Sequence, residues 1–113
     1  MEIEKIVQAQ LEAYNKRDLN EFISCYSKDV EIYNFLESKP FLSGQFELSK
    51  NYEDVFNNSP KLNAIILNRI VYDNKVIDHE QVTGRKGVDL IDVVVIYEMK
   101  DNLIDKVYFI RKK

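Results

Sequence analysis

The amino-acid sequence predicts an α+β fold in which helices come first and an antiparallel sheet follows. Residues 1–60 hold three segments whose apolar residues recur with helical spacing. Residues 62–110 hold four runs rich in β-branched residues, separated by three turn-forming segments. With 113 residues, 45% of them hydrophobic and 31% charged, the chain is predicted to form one globular domain over residues 1–113.

Two helices are predicted at the start of the chain. The first has one apolar face, formed by Ile3, Ile6, Val7, Leu11 and Tyr14. Gln10 falls on that same face and is unusual there because it is polar. Asp18, with Glu21 three residues later, predicts an N-cap and a second helix over about 19–27. Cys25 lies beside the apolar face of the second helix and is predicted to be a small buried residue.

The remaining elements alternate between strands and turns, apart from one helix. A short strand is predicted at Val30–Phe35, a loop at Pro40–Gly44 and a third helix over about 45–56. The strands of the second half are predicted at Leu62–Tyr72, Val76–Thr83, Val88–Met99 and Leu103–Ile110. The predicted order of elements is therefore αα-β-α-ββββ.

Charge and cysteine content restrict the partners and the compartment. The net charge is −3 and the only basic run is Arg111–Lys113, so no nucleic-acid partner is predicted. No apolar run approaches the length of about 20 residues that spans a bilayer, so no membrane partner is predicted. Cys25 is the single cysteine, and residues 1–5 lack the apolar stretch of a signal peptide. These features predict a cytoplasmic location.

This order of elements resembles the nuclear transport factor two-like superfamily, and within it the short SnoaL-like or steroid delta-isomerase-like bacterial proteins. The resemblance covers nearly the whole chain, and its residues are Ala13–Leu19, Tyr26–Val30, Asp78–Gly84, Asp101–Ile104 and Val107–Ile110. It implies a cone-shaped fold in which a curved sheet wraps around three helices and leaves an internal cavity. The superfamily includes isomerases, dehydratases, hydrolases, cyclases and non-catalytic binding or dimerisation modules, so the fold alone does not identify a reaction.

The catalytic residues of ketosteroid isomerases in this superfamily have no equivalents here. The resemblance places Gln10 where those enzymes have an oxyanion-hole tyrosine and Asn34 where they have the proton-shuttling aspartate. Their second oxyanion-hole acid falls within Val93–Val95, which has no carboxyl group. No ketosteroid isomerase activity is therefore predicted. Gln10 and Asn34 are still polar residues on apolar faces, and an amide buried without a partner costs about 1–3 kcal/mol, so both are predicted to contact a ligand.

Two acids of one predicted strand are the main candidates for catalysis. Asp78 and Glu80 are two residues apart, so both side chains point to the same face as Val76 and Val82. If that face lines the cavity, the two charges raise the pKa of one acid towards neutrality. The alternative is that the face is solvated, or that Arg69 or Lys106 on neighbouring strands pairs with the acids.

His79 is the third catalytic candidate, because it is the only histidine and has the only side chain with an ordinary pKa near 7. It points to the face opposite Asp78 and Glu80. The three side chains therefore cannot form a metal site from one strand, and no cluster of His and Cys residues exists elsewhere. Neither a metal nor another cofactor is predicted.

Further ligand contacts are predicted from side chains that share a face with cavity candidates. Tyr14 shares the helix face of Gln10, and Tyr97 shares a strand face with Val93 and Val95. Arg111 has the same parity as Val107 and Phe109, which places it at the mouth of the pocket, where it would meet an anionic ligand. The alternative for Arg111 is a solvated charge near the end of the chain.

The sequence supports two functional hypotheses. The first is a small-molecule pocket protein that carries out cofactor-free proton transfer, isomerisation or hydration on a mainly apolar ligand. The alternative is a non-catalytic ligand-binding or dimerisation module. A catalyst needs a titratable group facing an open cavity, which separates the two. A homodimer is predicted in either case, because the Leu90–Met99 strand is apolar on both faces and one face needs cover.

Overall fold

A computed structural model describes residues 2–112 and contains three helices and six strands. The helices are α1 (Glu2–Lys16), α2 (Leu19–Ser24) and α3 (Gly44–Asn58). The strands are β1 (Tyr26–Asn34), β2 (Leu42–Ser43), β3 (Asn63–Tyr72), β4 (Lys75–Thr83), β5 (Ile91–Lys100) and β6 (Leu103–Arg111). The predicted α+β class and the predicted order of the long elements are confirmed.

The second helix is shorter than its sequence pattern predicts. Its N-cap forms as expected, because the side chain of Asp18 accepts a hydrogen bond of 3.1 Å from the backbone N–H of Glu21. The helix ends at Ser24 rather than near residue 27, because Tyr26 pairs with Ile104 of β6 and starts β1. A register shift between Tyr26 and Glu31 interrupts the alternation of β1, which explains why the sequence pattern indicates a strand only from Val30.

The strands form one curved sheet in the order β2-β1-β6-β5-β4-β3. The sheet is mixed rather than antiparallel throughout, because β1 pairs with β6 in parallel while the other neighbours are antiparallel. Strands β1 and β6 are distant in the chain and are not joined by a hairpin, so no tight turn forces them to run in opposite directions. The two-residue strand β2 lies in the segment predicted as a loop.

The helices cover the inner face of this sheet, and the main core lies between them. Asn15 joins α1 to β3 through both backbone groups of Ala64: its amide nitrogen donates to the carbonyl at 3.0 Å and its amide oxygen accepts from the N–H at 2.7 Å. Gln45 joins α3 to β1 by donating to the carbonyl of Tyr26 at 2.8 Å. These bonds hold the two long helices over the strands that carry the pocket described below.

Strand β5 shows how the sheet divides its residues between two faces. Val93, Val95, Tyr97 and Met99 are buried on the inner face, while the alternate residues of the strand are partly exposed on the outer face. The strand begins at Ile91, not at Val88, because the chain between β4 and β5 is a solvent-exposed turn. None of the helices within residues 2–112 combines the length and the apolar character that crossing a membrane requires.

Candidate functional site

A pocket of about 120 Å³ lies between α1, α3 and the inner face of the sheet, and we call it the central pocket. All three layers contribute to it, so no single segment of the sequence encodes it. Its lining residues are Gln10, Leu11, Tyr14, Tyr26, Ile32, Phe41, Asn51, Tyr52, Ala64, Glu80, Val82, Arg85, Ile91, Val93, Tyr97, Val107, Phe109 and Arg111. Most of these side chains are apolar or aromatic, and Glu80 is the only carboxylic acid among them.

Glu80 is buried in the wall of the central pocket, with 8% of its surface exposed. It belongs to β4, where it lies opposite Val93 of β5 and Ile66 of β3. Within residues 2–112 its carboxyl group has no hydrogen-bond or salt-bridge partner, yet neither oxygen is sealed off from the pocket. Burial raises the pKa of Glu80 from 4.5 to about 7; the negative charge of Asp78 adds to the rise and the charge of Arg69 opposes it.

Asp78 points to the same face as Glu80 but has a different environment. It is 1% exposed, does not line the central pocket and forms a two-point ion pair with Arg69 of β3. Nε of Arg69 donates to one carboxylate oxygen at 2.6 Å, and a terminal nitrogen donates to the other at 2.9 Å. The remaining terminal nitrogen of Arg69 donates to Gln8 of α1 at 2.9 Å. Both carboxylate oxygens of Asp78 are therefore paired with Arg69, and Glu80 is the carboxyl group that faces the pocket.

Four tyrosines surround the same space as Glu80, namely Tyr14, Tyr26, Tyr52 and Tyr97. Burial raises the pKa of each, and the charge of Glu80 contributes in every case; the value for Tyr52 is about 12. The phenols are consequently protonated at neutral pH and act as hydrogen-bond donors. Tyr26 donates to the side-chain oxygen of Gln10 at 2.9 Å, whereas the other three hydroxyls bond to no other described residue.

Gln10 owes its place on the apolar face of α1 to this arrangement. It is buried, accepts the hydrogen bond from Tyr26 and donates from its amide nitrogen to the carbonyl of Val7 at 3.1 Å. Both ends of the amide are thus satisfied within the protein. Gln10 lines the central pocket, and its fixed orientation also fixes the phenol of Tyr26.

The solvent-exposed end of the lining marks the mouth of the central pocket. It includes Arg85, Arg111 and Phe41. The guanidinium group of Arg111 lies over the ring of Phe109, 4.8 Å from its centre, and its Nε donates to the side-chain oxygen of Asn34 at 3.1 Å. Asn34 does not line the pocket, and its contact is with the arginine that does.

His79 lies on the outer face of the sheet, away from the central pocket. Its Nε2 is 2.9 Å from a carboxylate oxygen of Asp92, whose other oxygen accepts a hydrogen bond of 3.0 Å from Gln81. The hydrogen bonds from Gln81 and then His79 lower the pKa of Asp92. His79 therefore takes part in a surface polar cluster and is separated by the sheet from Glu80.

The sequence pattern does not single out several residues of the pocket, including Tyr26, Tyr52 and Arg85. The helical spacing places Tyr26 at the end of the second helix. It places Tyr52 on the apolar face of the third helix, as one of many tyrosines with no assigned role. Arg85 follows the turn glycine Gly84, a position typical of solvated residues. The one available signal was the high tyrosine content, seven residues in 113. Among residues 2–112, no group of three His, Cys, Asp or Glu side chains is placed to hold a metal ion.

Comparison with known proteins first identifies the class of fold, which is that of the nuclear transport factor two-like and cystatin-like proteins. Within this class, residues 7–107 match the SnoaL-like domain, and the chain belongs to this family. No functionally curated protein matches the sequence.

Three solved structures illustrate the likeness. An uncharacterised cystatin-fold protein from Novosphingobium aromaticivorans has a TM-score of 0.89 at 23% identity, covering 98% of this chain and 99% of that one. A provisionally named ketosteroid isomerase from Kribbella flavida has a TM-score of 0.82 at 14% identity, covering 99% and 78%. A SnoaL-like protein of unknown function from Burkholderia thailandensis has a TM-score of 0.80 at 16% identity, covering 99% and 95%. At these identities the likeness establishes the fold.

Proposed function

We propose that this protein binds a small molecule in the central pocket and that Glu80 transfers a proton to and from it, without a cofactor. The observation that carries the proposal is a buried carboxyl group that faces the pocket and has no partner among the described residues. Burying an ionisable group in this way is costly, and structural acids are normally paired, as Asp78 is. An unpaired acid in a pocket wall is typical of a catalytic group.

The pKa of Glu80 suits this role. Since it is raised to about 7, the carboxylate and the carboxylic acid are both well populated near neutral pH. A general acid–base group is most effective when its pKa lies near the working pH, because it can then both accept and return a proton. Asp78 contributes indirectly, because its charge helps to raise the pKa of Glu80 while Arg69 keeps Asp78 itself in place.

The protonated phenols supply the complementary electrostatics. Tyr14, Tyr52 and Tyr97 have no hydrogen-bond partner among the described residues, so their hydroxyls can donate to an oxygen atom of a ligand. A negative charge that develops on that oxygen is stabilised by donors that are already in place. Apolar wall residues such as Val93 and Val107 limit access of water and strengthen these interactions.

The arrangement fits proton transfer next to a carbonyl group. Glu80 removes a proton from the carbon beside the carbonyl, and the C–H electron pair forms a C=C bond. The π electron pair of the C=O bond moves to the oxygen as an enolate, and a phenol donates a hydrogen bond to that oxygen. Where the ligand also has a C=C bond next to that carbon, the proton returns from Glu80 to the far end of this bond. The C=C bond then moves into conjugation with the carbonyl, which is an isomerisation with no net gain or loss of atoms. The family match and the Kribbella flavida structure support this reaction class without naming a substrate.

The test is deuterium uptake from D₂O into small cyclic ketones, with and without a carboxylate substituent, followed by NMR. The wild-type protein should accelerate uptake at the carbon beside the carbonyl, and Glu80→Gln should slow it by about a hundredfold or more. Glu53→Gln, which alters an exposed acid of α3, is the matched control and should leave the rate unchanged. Wild-type uptake no faster than that in buffer, or equal uptake by Glu80→Gln, would contradict the proposal.

We also propose that the protein is a homodimer that pairs through the outer face of its sheet. One row of side chains runs straight across this face in register: Ile70, Ile77, Ile96, Tyr108 and Tyr33. The rings of Tyr33 and Tyr108 stack with their centres 5.1 Å apart. A continuous apolar row on a solvent-facing sheet favours cover by a second copy. A cytoplasmic location is proposed with it, because the single cysteine, Cys25, is buried and unpaired.

A further inference from the structure

We infer that the mouth of the central pocket is an anion-binding site and that the ligand carries a carboxylate or phosphate group held by Arg85 and Arg111. The inference rests on the proposed function and names the class of its ligand. Both arginines line the same pocket, on the edge that opens to solvent. Within residues 2–112, neither forms a salt bridge with an acidic side chain, although Arg69 and two lysines do.

Arg111 is held in an orientation that leaves its terminal nitrogens available. Its Nε is occupied by the hydrogen bond to Asn34, and its planar group stacks on Phe109. Phe109 is itself supported by Phe41, with ring centres 6.2 Å apart. A guanidinium group fixed along one edge presents its two terminal nitrogens in the geometry that suits a carboxylate or a phosphate.

Arg85 is positioned by a turn that has little freedom. Gly84 has a φ of +78°, and a Cβ at this position would lie 2.0 Å from the carbonyl oxygen of Lys61. Only glycine fits there. The buried hydroxyl of Ser59 accepts a hydrogen bond of 3.1 Å from the N–H of Lys86, and the N–H of Val88 donates to the carbonyl of Arg85 at 3.1 Å. The turn is thus packed against the end of α3 and carries Arg85 to the pocket edge.

The charges of the pocket favour an anion at this edge. Two guanidinium groups line the pocket against one carboxyl group, Glu80, so the lining is positive whether Glu80 is protonated or ionised. Both arginine charges act electrostatically on the interior of the pocket. Burial raises the pKa of Tyr52, and the charges of Arg85 and Arg111 each offset part of that rise. An anionic substituent bound at the mouth would leave the apolar part of the ligand beside Glu80 and the phenols.

The test compares small cyclohexane derivatives that carry an anionic or a neutral substituent. 4-Oxocyclohexanecarboxylate, its neutral carboxamide and cyclohexyl phosphate are titrated into the protein, and binding is measured by calorimetry and by NMR at low ionic strength. At least one of the two anions should bind about tenfold or more tightly than the carboxamide, since charge-assisted hydrogen bonds to arginine contribute more than neutral ones. The carboxylate and phosphate arms distinguish the two kinds of anionic group.

Three variants identify the groups responsible. Arg85→Gln and Arg111→Gln should each reduce the preference for the anion about tenfold. Lys112→Gln removes an exposed positive charge of the neighbouring residue, whose amine lies 4.0 Å from Asp92, and should retain the preference. Circular dichroism confirms that each variant is folded. Equal binding of anion and carboxamide, an equal loss in Lys112→Gln, or no binding of either anion at millimolar concentration would overturn the inference.

The binding test of the anion site can fail or succeed independently of the deuterium-uptake test of Glu80. Anion-selective binding that depends on both arginines, without deuterium uptake, would leave the anion site intact and contradict the role of Glu80. Deuterium uptake that depends on Glu80, together with equal binding of the anions and the carboxamide, would support the role of Glu80 and contradict the anion site.

Discussion

Replacing Glu80 by Gln should make the protein more stable at alkaline pH and leave its stability nearly unchanged at acidic pH. The folded state holds the pKa of Glu80 at about 7, compared with 4.5 ordinarily. Between these two values the unfolded chain has released the proton and the folded protein retains it. Unfolding therefore becomes easier as the pH rises through this window, because the folded state binds the extra proton. Stability associated with Glu80 is fully present below about pH 4.5 and is lost by the time the pH exceeds about 7.

The magnitude follows from the same two values. A difference of one in pKa corresponds to about 1.4 kcal/mol, so the span from 4.5 to about 7 corresponds to about 3 kcal/mol in the free energy of unfolding. Glu80→Gln keeps the size and polarity of the side chain but cannot ionise. Above pH 8 the free energy of unfolding of the variant should therefore exceed that of the wild type by up to about 3 kcal/mol. This difference should vanish near pH 4.5.

Urea unfolding at a series of pH values, at one fixed protein concentration, measures this difference directly. Subtracting wild type from variant removes the pH dependence of groups that do not interact with Glu80. Glu53→Gln is the control, since this exposed acid lies outside the pocket. A difference for Glu80→Gln that stays constant from pH 5 to pH 8.5, or a variant that is less stable at the alkaline end, would refute the reasoning.

Two further outcomes are expected. Sedimentation of the wild-type protein at micromolar concentration should give a mass of about twice 13.4 kDa, and a monomer would show that the outer face is not an interface. Ile96→Asp places a charge at the centre of the outer apolar row and should give a folded monomer. Phe46→Asp, on the exposed surface of α3, is the control and should remain a dimer. A 5-ene-3-keto steroid should not be isomerised at a rate near that of ketosteroid isomerases, because Gln10, Asn34 and Val93–Val95 replace their catalytic groups. Loss of one oxyanion donor alone lowers the catalytic rate about a hundred- to a thousandfold. Rapid formation of the conjugated product, followed by its ultraviolet absorbance, would contradict this prediction.

Local patterns determined the elements that have a clear period. The apolar face of α1 and the alternation of β5 follow from spacings of 3.6 and 2 residues, so the local sequence is sufficient to predict both. The end of α2 was wrong by about three residues, because Tyr26 gains a pairing partner from the far end of the chain, Ile104, which no local pattern contains. The parallel pairing of β1 with β6 was missed for the same reason.

The candidate site divides in the same way. By itself, the sequence determined that Asp78 and Glu80 share a face and that His79 has the opposite one, because side chains alternate strictly along a strand. It left open which acid is paired, although Arg69 was among the possible partners. Only the tertiary structure decided that Arg69 reaches Asp78 and leaves Glu80 facing the pocket.

The charge and hydrogen bonding of the pocket were likewise decided by tertiary contacts. Arg85 lies in the turn between β4 and β5, and Arg111 lies at the end of β6. Both line the same pocket only because these strands are neighbours in the sheet. The pKa of Glu80 depends on burial by helices that precede it by many residues in the chain. A sequence specifies which chemical groups are present and which face of an element each occupies, whereas burial and charge proximity act through space and exist only once the elements have packed.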